Sequence, residues 1–505
     1  MKYDLRFEPW ISVEYLDGSK NKVGLQQLFE QAHEIGSFHH DNPLAEAALM
    51  RILIALSHRI LDGPKDRKEW KETFEAGRYD ADAVEAYFDR WKDRFDLFHE
   101  KYPFMQVAEL KMIDNKTKVP LNYDDLPSLD LLIHHVANGN NATLFDHNRD
   151  EEPHLYEPSE AIYWLLVAIF YGLGGTHKKS TNLCGYQGNC KNGIAVNGML
   201  AFVYGETLFE TLMINTLSDN FTIPSTKEDM PFWEYPNGIC EESMPKGYLD
   251  YLTFTGRLIR LVPTKDIKIE KVHFACGRSL QESIKDPFAP TKIEKNQEKV
   301  LAASLERSLW RDSDTLFRYT NDGFTIASLQ QLSNIGRRKI ANKPYVLSVY
   351  GLVNNKANPQ GYLKEMLPIP LSILNNPYSR EKIRNAVSNA ENIGKSLNDA
   401  IKSFYEEVGI LPKKPKSKKE RDRKKQFLET KLRENYWSTL ELPFKSFLNE
   451  IDSERALQKW EKQVQNSAVD AFDKVTKPLL GQKARLLEAY VKAQQKLYQS
   501  KGGKS

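Results

Sequence analysis

The residues best suited to chemistry cluster in YGLGGTHKKSTNLCGYQG, Tyr171–Gly188. Glycines surround the Lys178-Lys179 pair, and glycine-rich loops that carry lysine can cradle phosphate. A nucleoside-triphosphate loop needs G-x-x-x-x-G-K-[ST], with lysine directly after the glycine that opens a helix. Here Gly175 is followed by Thr176 and His177. The dinucleotide fingerprint G-x-G-x-x-G fails too, because the sixth position from Gly172 is His177. Both motifs follow a strand, whereas Ala161–Tyr171 reads as helix. The spacing excludes a nucleotide cradle. It leaves a backbone able to approach a groove or a phosphate, with lysines for salt-sensitive attraction.

Other candidates are weaker. His40-Asp41 in FHHDNP has the residue types of a metal-dependent HD-type phosphohydrolase, the alternative function for this chain. Yet the doublet lies just ahead of Pro43, where Asp41 or Asn42 would cap a helix that Pro43 opens. His134-His135 and His147 have neither G-x-S-x-G nor H-E-x-x-H beside them. His134-His135 also sit in an apolar run that favours a structural role. Cys184 and Cys190 are separated by five residues, unlike the shorter gap of zinc pairs. We expect no enzyme activity, no cofactor and no metal. Three sites remain for binding: the glycine stretch, a loop with Phe145, and a turn holding Asn354, Asn355 and Lys356. Asparagine and lysine at a hairpin tip can enter a DNA groove or wedge between bases.

LRFEPW and ISVEYL suggest a small hairpin with Asp17-Gly18 as the turn. VGLQQLFEQAHEI, NPLAEAALMRILIALSHRIL and VEAYFDRWKDRFDLF have helical spacing. Periodicity fades over 111–160. SEAIYWLLVAIFYG is then a buried helix that stops at Gly172. GIAVNGMLAFVYG reads as strand and LFETLMINTL as helix. Two strands meet around Asn354-Asn355-Lys356. After Leu367 come long charged helical segments, 380–409, 417–451, 453–475 and 477–498. Trp437, Leu440, Phe444, Phe447 and Leu448 form a stripe along the second. The expected fold is α+β: a large mixed N-terminal domain of irregular α/β architecture, 1–366, then a C-terminal four-helix bundle, 367–505. A hinge is expected near Met366–Pro370. PKKPKSKKERDRKK, Pro412–Lys425, carries nine positive and two negative charges. It is read either as a solvated loop or as a nucleic-acid backbone contact.

At 505 residues the chain is too long for one core. Hydrophobic content of 41% is that of a folded protein, and net charge of +3 confines any nucleic-acid surface to a local patch. No run approaches a membrane span, the N-terminus lacks an apolar leader, and four cysteines fit a reducing, cytoplasmic setting.

In order and spacing, several segments resemble one family, the large subunit (CasA family) of the type I-E CRISPR surveillance complex Cascade. They include EPWI at 8–11, AHEI at 32–35, the NPLAEAALMRILIALSHRIL helix, KYPFMQ at 101–106 and ATLFDHN at 142–148. YGLGG at 171–175, GRSLQESIKDPFAP at 277–290 and the C-terminal helices complete the pattern. The resemblance implies a non-catalytic subunit that reads the protospacer-adjacent motif in double-stranded DNA while guide pairing reads the sequence. Its implied partners are other Cascade subunits, crRNA, target DNA with its displaced non-target strand, and a helicase-nuclease that it recruits. Carried onto this chain, Gly172, Leu173, Gly174 and Gly175 match the family's glycine loop, with Lys178 and Lys179 as phosphate contacts. Asn354, Asn355 and Lys356 match its wedge, although the family pattern has glutamine where Lys356 stands. Arg278 and Lys285 are the candidates for its lysine finger. Phe145, Asp146 and His147 match a loop anchoring the subunit near the guide's 5′ handle, with His147 where asparagine is usual. Some relatives carry a cysteine cluster before the finger; here Cys276 is read as standing alone.

Overall fold

The structure, a computed structural model, describes the chain except residues 115, 135–153, 177–188, 219–225, 237–243, 281–283, 336–342, 356–357, 482–483 and 500–505. It forms two compact units, Met1–Ala303 with Phe324–Met366, and Ser304–Gly323 with Leu367–Ser505.

The first unit is organised on the helix Pro43–Ile60. Asn42 caps it, its Oδ1 accepting from the Leu44 N–H at 2.8 Å, and Pro43 fills the first turn. The helix is apolar nearly all round and accordingly buried on most faces. It packs against the helices Pro158–Tyr171 and Leu208–Asn215 and the strand Val346–Asn355. At its middle Arg51 is fully buried, donating to Asp286 Oδ2 at 2.7 Å and to the Tyr251 carbonyl at 3.1 Å. A buried charge is tolerable when it is paired and hydrogen-bonded in this way.

Ile11–Tyr15 pairs antiparallel with Lys20–Val23 about Asp17-Gly18, with Gly18 at φ +83°, and with Ile35–Phe38 on its other side. LRFEPW is therefore not the first strand of the hairpin. It is a turn-rich entry that buries Leu5 and Trp10, whose indole donates to the Leu5 carbonyl at 3.0 Å. A second sheet has Val346–Asn355 at its centre, between Asn358–Pro368 and Leu200–Tyr204. Only those last five residues of GIAVNGMLAFVYG before its closing glycine are strand. The helix Arg67–Ala76, capped by Asp66, has no counterpart in the sequence reading.

In the second unit the helices are Pro377–Glu407, Lys418–Leu432, Ser438–Asn449, Ala456–Thr476 and Ala484–Gln499. A π-helical turn, Arg433–Trp437, joins the second to the third. The first packs against the second, fourth and fifth. Trp310, from the segment Ser304–Gly323, is fully buried among Trp437, Phe444 and Trp460 at centroid distances of 6.0, 4.9 and 5.6 Å. Gly394 makes room for this cluster, since a Cβ there would lie 2.6 Å from the Trp437 ring.

Candidate nucleic-acid interface

The apolar helix Pro158–Tyr171 ends where glycine replaces side chains. Gly172 N–H donates to the Ala168 carbonyl at 3.1 Å. A Cβ at Gly172 would sit 2.4 Å from that carbonyl oxygen and 3.0 Å from Arg257 Nε. No side chain fits without moving backbone. The chain then continues as the short strand Gly175–Thr176, paired with Asn189–Cys190.

This stretch is held by residues distant in sequence. Arg257 Nη2 donates to the Gly172 and Leu173 carbonyls, both at 2.9 Å, and Nη1 donates to the Gly256 carbonyl at 2.7 Å. Arg257 is buried and makes no ion pair among the described residues; burial pushes its guanidinium down to about 10, so it stays charged at neutral pH. Gly174 N–H donates to Asn192 Oδ1 at 2.7 Å, and a Cβ on Gly174 would lie 3.1 Å from that oxygen. A Cβ on Gly175, by contrast, would meet no described atom within 4 Å. Among the described residues the stretch is thus fixed at Gly172–Gly174 and open at Gly175.

Cys190, on the partner strand, is joined to Cys276 by a disulfide. Cys276 pairs with Arg257 across the strands Arg257–Pro263 and Ile269–Cys276. Cys276 therefore does not stand alone. Spacing could not reveal this, because the two sulfurs meet only through strand pairing across 86 residues. Among the described residues no group of three or more His, Cys, Asp or Glu side chains is placed to hold a metal.

The other candidates fare differently. Arg278 is corrected as a finger. Its side chain is buried, bonded to both oxygens of Asp250 at 2.5 and 2.9 Å, and its guanidinium lies 4.2 Å from the Phe254 ring centre. It clamps the helix Tyr248–Leu252 to the strand end and offers no charge to a ligand. Lys285 is exposed and donates to Glu298 at 3.3 Å. Asn354 is half-buried and Asn355 exposed at the end of Val346–Asn355, while the returning strand is anchored by Lys364 to Glu46 at 2.6 Å. Lys178, Lys179, Lys356, Phe145, Asp146 and His147 lie outside the described residues.

Sequence reading missed Arg257, Asn192 and a second hairpin, Thr291–Glu294 with Gln297–Val300. At its tip Lys295 and Asn296 have φ of +51° and +63°, the primed turn whose twist suits a tight hairpin, and both are exposed. The signal, Lys-Asn between two short alternating runs, was present but faint.

His40 and Asp41 do not form a metal site. The His40 N–H donates to Glu46 Oε1 at 3.0 Å, its Nδ1 accepts from the Asn42 N–H at 3.0 Å, and its ring packs 4.2 Å from Tyr163. Burial holds the imidazole below its usual pKa. The doublet belongs to the capping turn. Among the described residues no helix is long and apolar enough to cross a membrane.

Comparison with known proteins gives a consistent picture. The family described as CRISPR-associated protein Cse1 matches residues 4–471. A CRISPR-associated protein CasA/Cse1 of Thermus thermophilus is 29% identical over 519 residues, covering 98% of this chain and 96% of the relative. The solved structure of Thermus thermophilus CasA (Cse1) superposes with a TM-score of 0.80 at 25% identity, over 99% of each chain. A chain from a CRISPR RNA-guided surveillance complex shares the fold, with a TM-score of 0.79 at 22% identity over 98% of this chain and 99% of that one.

Proposed function

The chain belongs to the CRISPR-associated Cse1 family, and from that footing we propose that it is the large subunit of an RNA-guided Cascade complex that reads the protospacer-adjacent motif of double-stranded DNA. In this role it works with other Cascade subunits and crRNA, helps open the duplex, and recruits a helicase-nuclease. It performs no chemistry itself. The mixed first unit reads the motif, and the helical unit serves as a four-helix bundle.

The observation that carries the reading is the asymmetry of the glycine strand. Arg257 and Asn192 immobilise Gly172–Gly174, while a Cβ at Gly175 would meet no described atom within 4 Å. A rigid, side-chain-free edge can approach a DNA groove closely, and the buried, unneutralised charge of Arg257 adds a positive field. Lys178, Lys179 and Lys285 supply phosphate contacts. Asn354, Asn355 and Lys356 act as the wedge, and Phe145, Asp146 and His147 anchor the subunit to the guide.

The test compares duplexes that differ only at the adjacent motif, bound by the reconstituted complex. Gly175→Asp adds a Cβ that meets no described atom within 4 Å, so the protein should fold and assemble normally yet lose motif preference. Gly174→Asp collides with Asn192 and should lower stability as well. Retained motif preference in a Gly175→Asp complex would remove the strand as reader. A wild-type complex with no preference at all would make the chain a scaffold.

A further inference from the structure

Across the short ladder the residue opposite Gly175 is Cys190, and across the long one the residue opposite Arg257 is Cys276. The disulfide therefore ties the partner of the open glycine to the partner of the arginine that anchors Gly172 and Leu173. Its two ends are held unequally. Cys276 closes the eight-residue strand Ile269–Cys276, and just beyond it the Gly277 N–H donates to the Gly256 carbonyl at 3.1 Å. Asn189–Cys190 and Gly175–Thr176 are two residues each. Backbone bonds resume past them, from the Gly193 N–H to the Gly172 carbonyl at 2.8 Å and from the Ala195 N–H to the Phe170 carbonyl at 3.0 Å.

A shift of Cys190 reaches the glycines directly. Asn192, which accepts from the Gly174 N–H, follows two residues later, and a Cβ on Gly174 would lie 3.2 Å from the Cys190 carbonyl oxygen. Both cysteines are buried, at 5% and 4% exposure, so a small thiol meets the sulfurs only when the chain opens locally. A two-residue ladder is the element that opens most easily, having few backbone bonds to break.

We infer that Cys190 and Cys276 form a thiol–disulfide lock on Gly174–Thr176, closed and opened by exchange with small disulfides and thiols of the glutathione class. In closing, one cysteine thiolate attacks a sulfur of the small disulfide and expels a thiolate, which takes up a proton. The second cysteine, giving up its own proton, attacks the mixed disulfide and expels the other small thiol. Two protein thiols and one small disulfide thus become one protein disulfide and two small thiols. The bearing of the lock on DNA rests on the motif-reading role proposed above. A complex that reads DNA works inside the cell, where disulfides are rare and those that form are typically transient or redox-sensing. A staple serving stability alone would leave Gly174–Thr176 unchanged when cut.

The test uses the full chain in a Cys184→Ser/Cys240→Ser background, so that only this pair titrates. Glutathione buffers run from reduced to oxidised, alkylation and mass spectrometry give the bonded fraction, and hydrogen–deuterium exchange is followed without DNA. Reduction should speed exchange in the peptide spanning Gly172–Thr176 roughly tenfold and leave that of Arg257–Pro263 unchanged. In the assembled complex, the affinity ratio between duplexes differing only at the motif should fall about threefold on reduction and recover with glutathione disulfide. Cys190→Ser/Cys276→Ser, added to this background, should match the reduced protein at every ratio. The unsubstituted pair supplies both states by itself, so the result stands even where that variant folds poorly. Equal exchange over Gly172–Thr176 in the two states would overturn the lock, as would a pair that stays bonded at every ratio. Equal motif preference alongside changed exchange would overturn its bearing on DNA. A complex without motif preference in either state would instead count against the motif-reading role, and the exchange measurement would still decide the lock.

Discussion

Arg257 illustrates how one side chain can decide the shape of a distant backbone. Its burial costs on the order of 3 kcal/mol for a guanidinium held near 10. Three hydrogen bonds from a charged donor return roughly 1.5–3 kcal/mol each, so the arrangement is favourable on balance. We predict that Arg257→Gln lowers stability by about 2 kcal/mol and weakens motif discrimination. Arg257→Lys should restore stability only in part, because an ammonium lacks the fork that spans two carbonyls. Unchanged chemical denaturation of Arg257→Gln would dismiss the supporting role. Sequence gives the glycines away by their type, since nothing else fits where Gly172 lies. It is silent on Arg257 and misleading on Arg278, because residue type does not reveal solvation. Arg278 faces Asp250 in the interior, and only the fold brings that carboxylate to it.

Among the elements, the helix Pro43–Ile60 sets two effects against each other at His58 in its last turn. A protonated imidazole there would gain from the helix dipole, typically under about 1 kcal/mol. Burial works the other way and pushes His58 down to about 4; its buried Nε2 has no hydrogen-bond partner among the described residues and its ring packs edge-on to Tyr248. Burial wins. The unfolded chain takes up the proton first, near its ordinary 6.5, so stability is complete above that pH and falls as pH drops towards 4. Between pH 7 and 5 the wild type should lose roughly 2 kcal/mol more than His58→Leu, read from denaturant midpoints. Equal losses would refute the assignment. His273, also pushed to about 4, is present in both proteins and cancels. This helix was plain in the sequence, with apolar spacing, an Asn cap and Pro behind it. The hairpin at Lys295-Asn296 was not, because two four-residue strands carry little periodicity, and the Met199 N–H that holds the Leu301 carbonyl just beyond them lies far off in sequence.

For the whole molecule, all four cysteines precede residue 277, so the Cys190–Cys276 bond constrains the first unit alone. Closing a loop of that length removes about 4–5 kcal/mol of unfolded-state freedom on the chain-entropy account. Dithiothreitol should lower the thermal midpoint of wild type to that of Cys276→Ser and leave the variant unmoved, as read by calorimetry. A variant as stable as oxidised wild type would show that the bond contributes nothing. The change to long charged helices at Leu367 is visible in composition, and there the chain enters the second unit for the last time. Its earlier visit, Ser304–Gly323, has no such mark. Only long-range packing of Trp310 assigns it there.

That early visit bears on how the protein is made. Trp310 leaves the ribosome well before Trp437, Phe444 and Trp460, the rings that will surround it. Until they arrive, a large apolar ring has no home and the nascent chain is open to capture by chaperones. A gene fragment begun at Leu367 has the reverse fault, encoding every wall of that chamber but not its keystone.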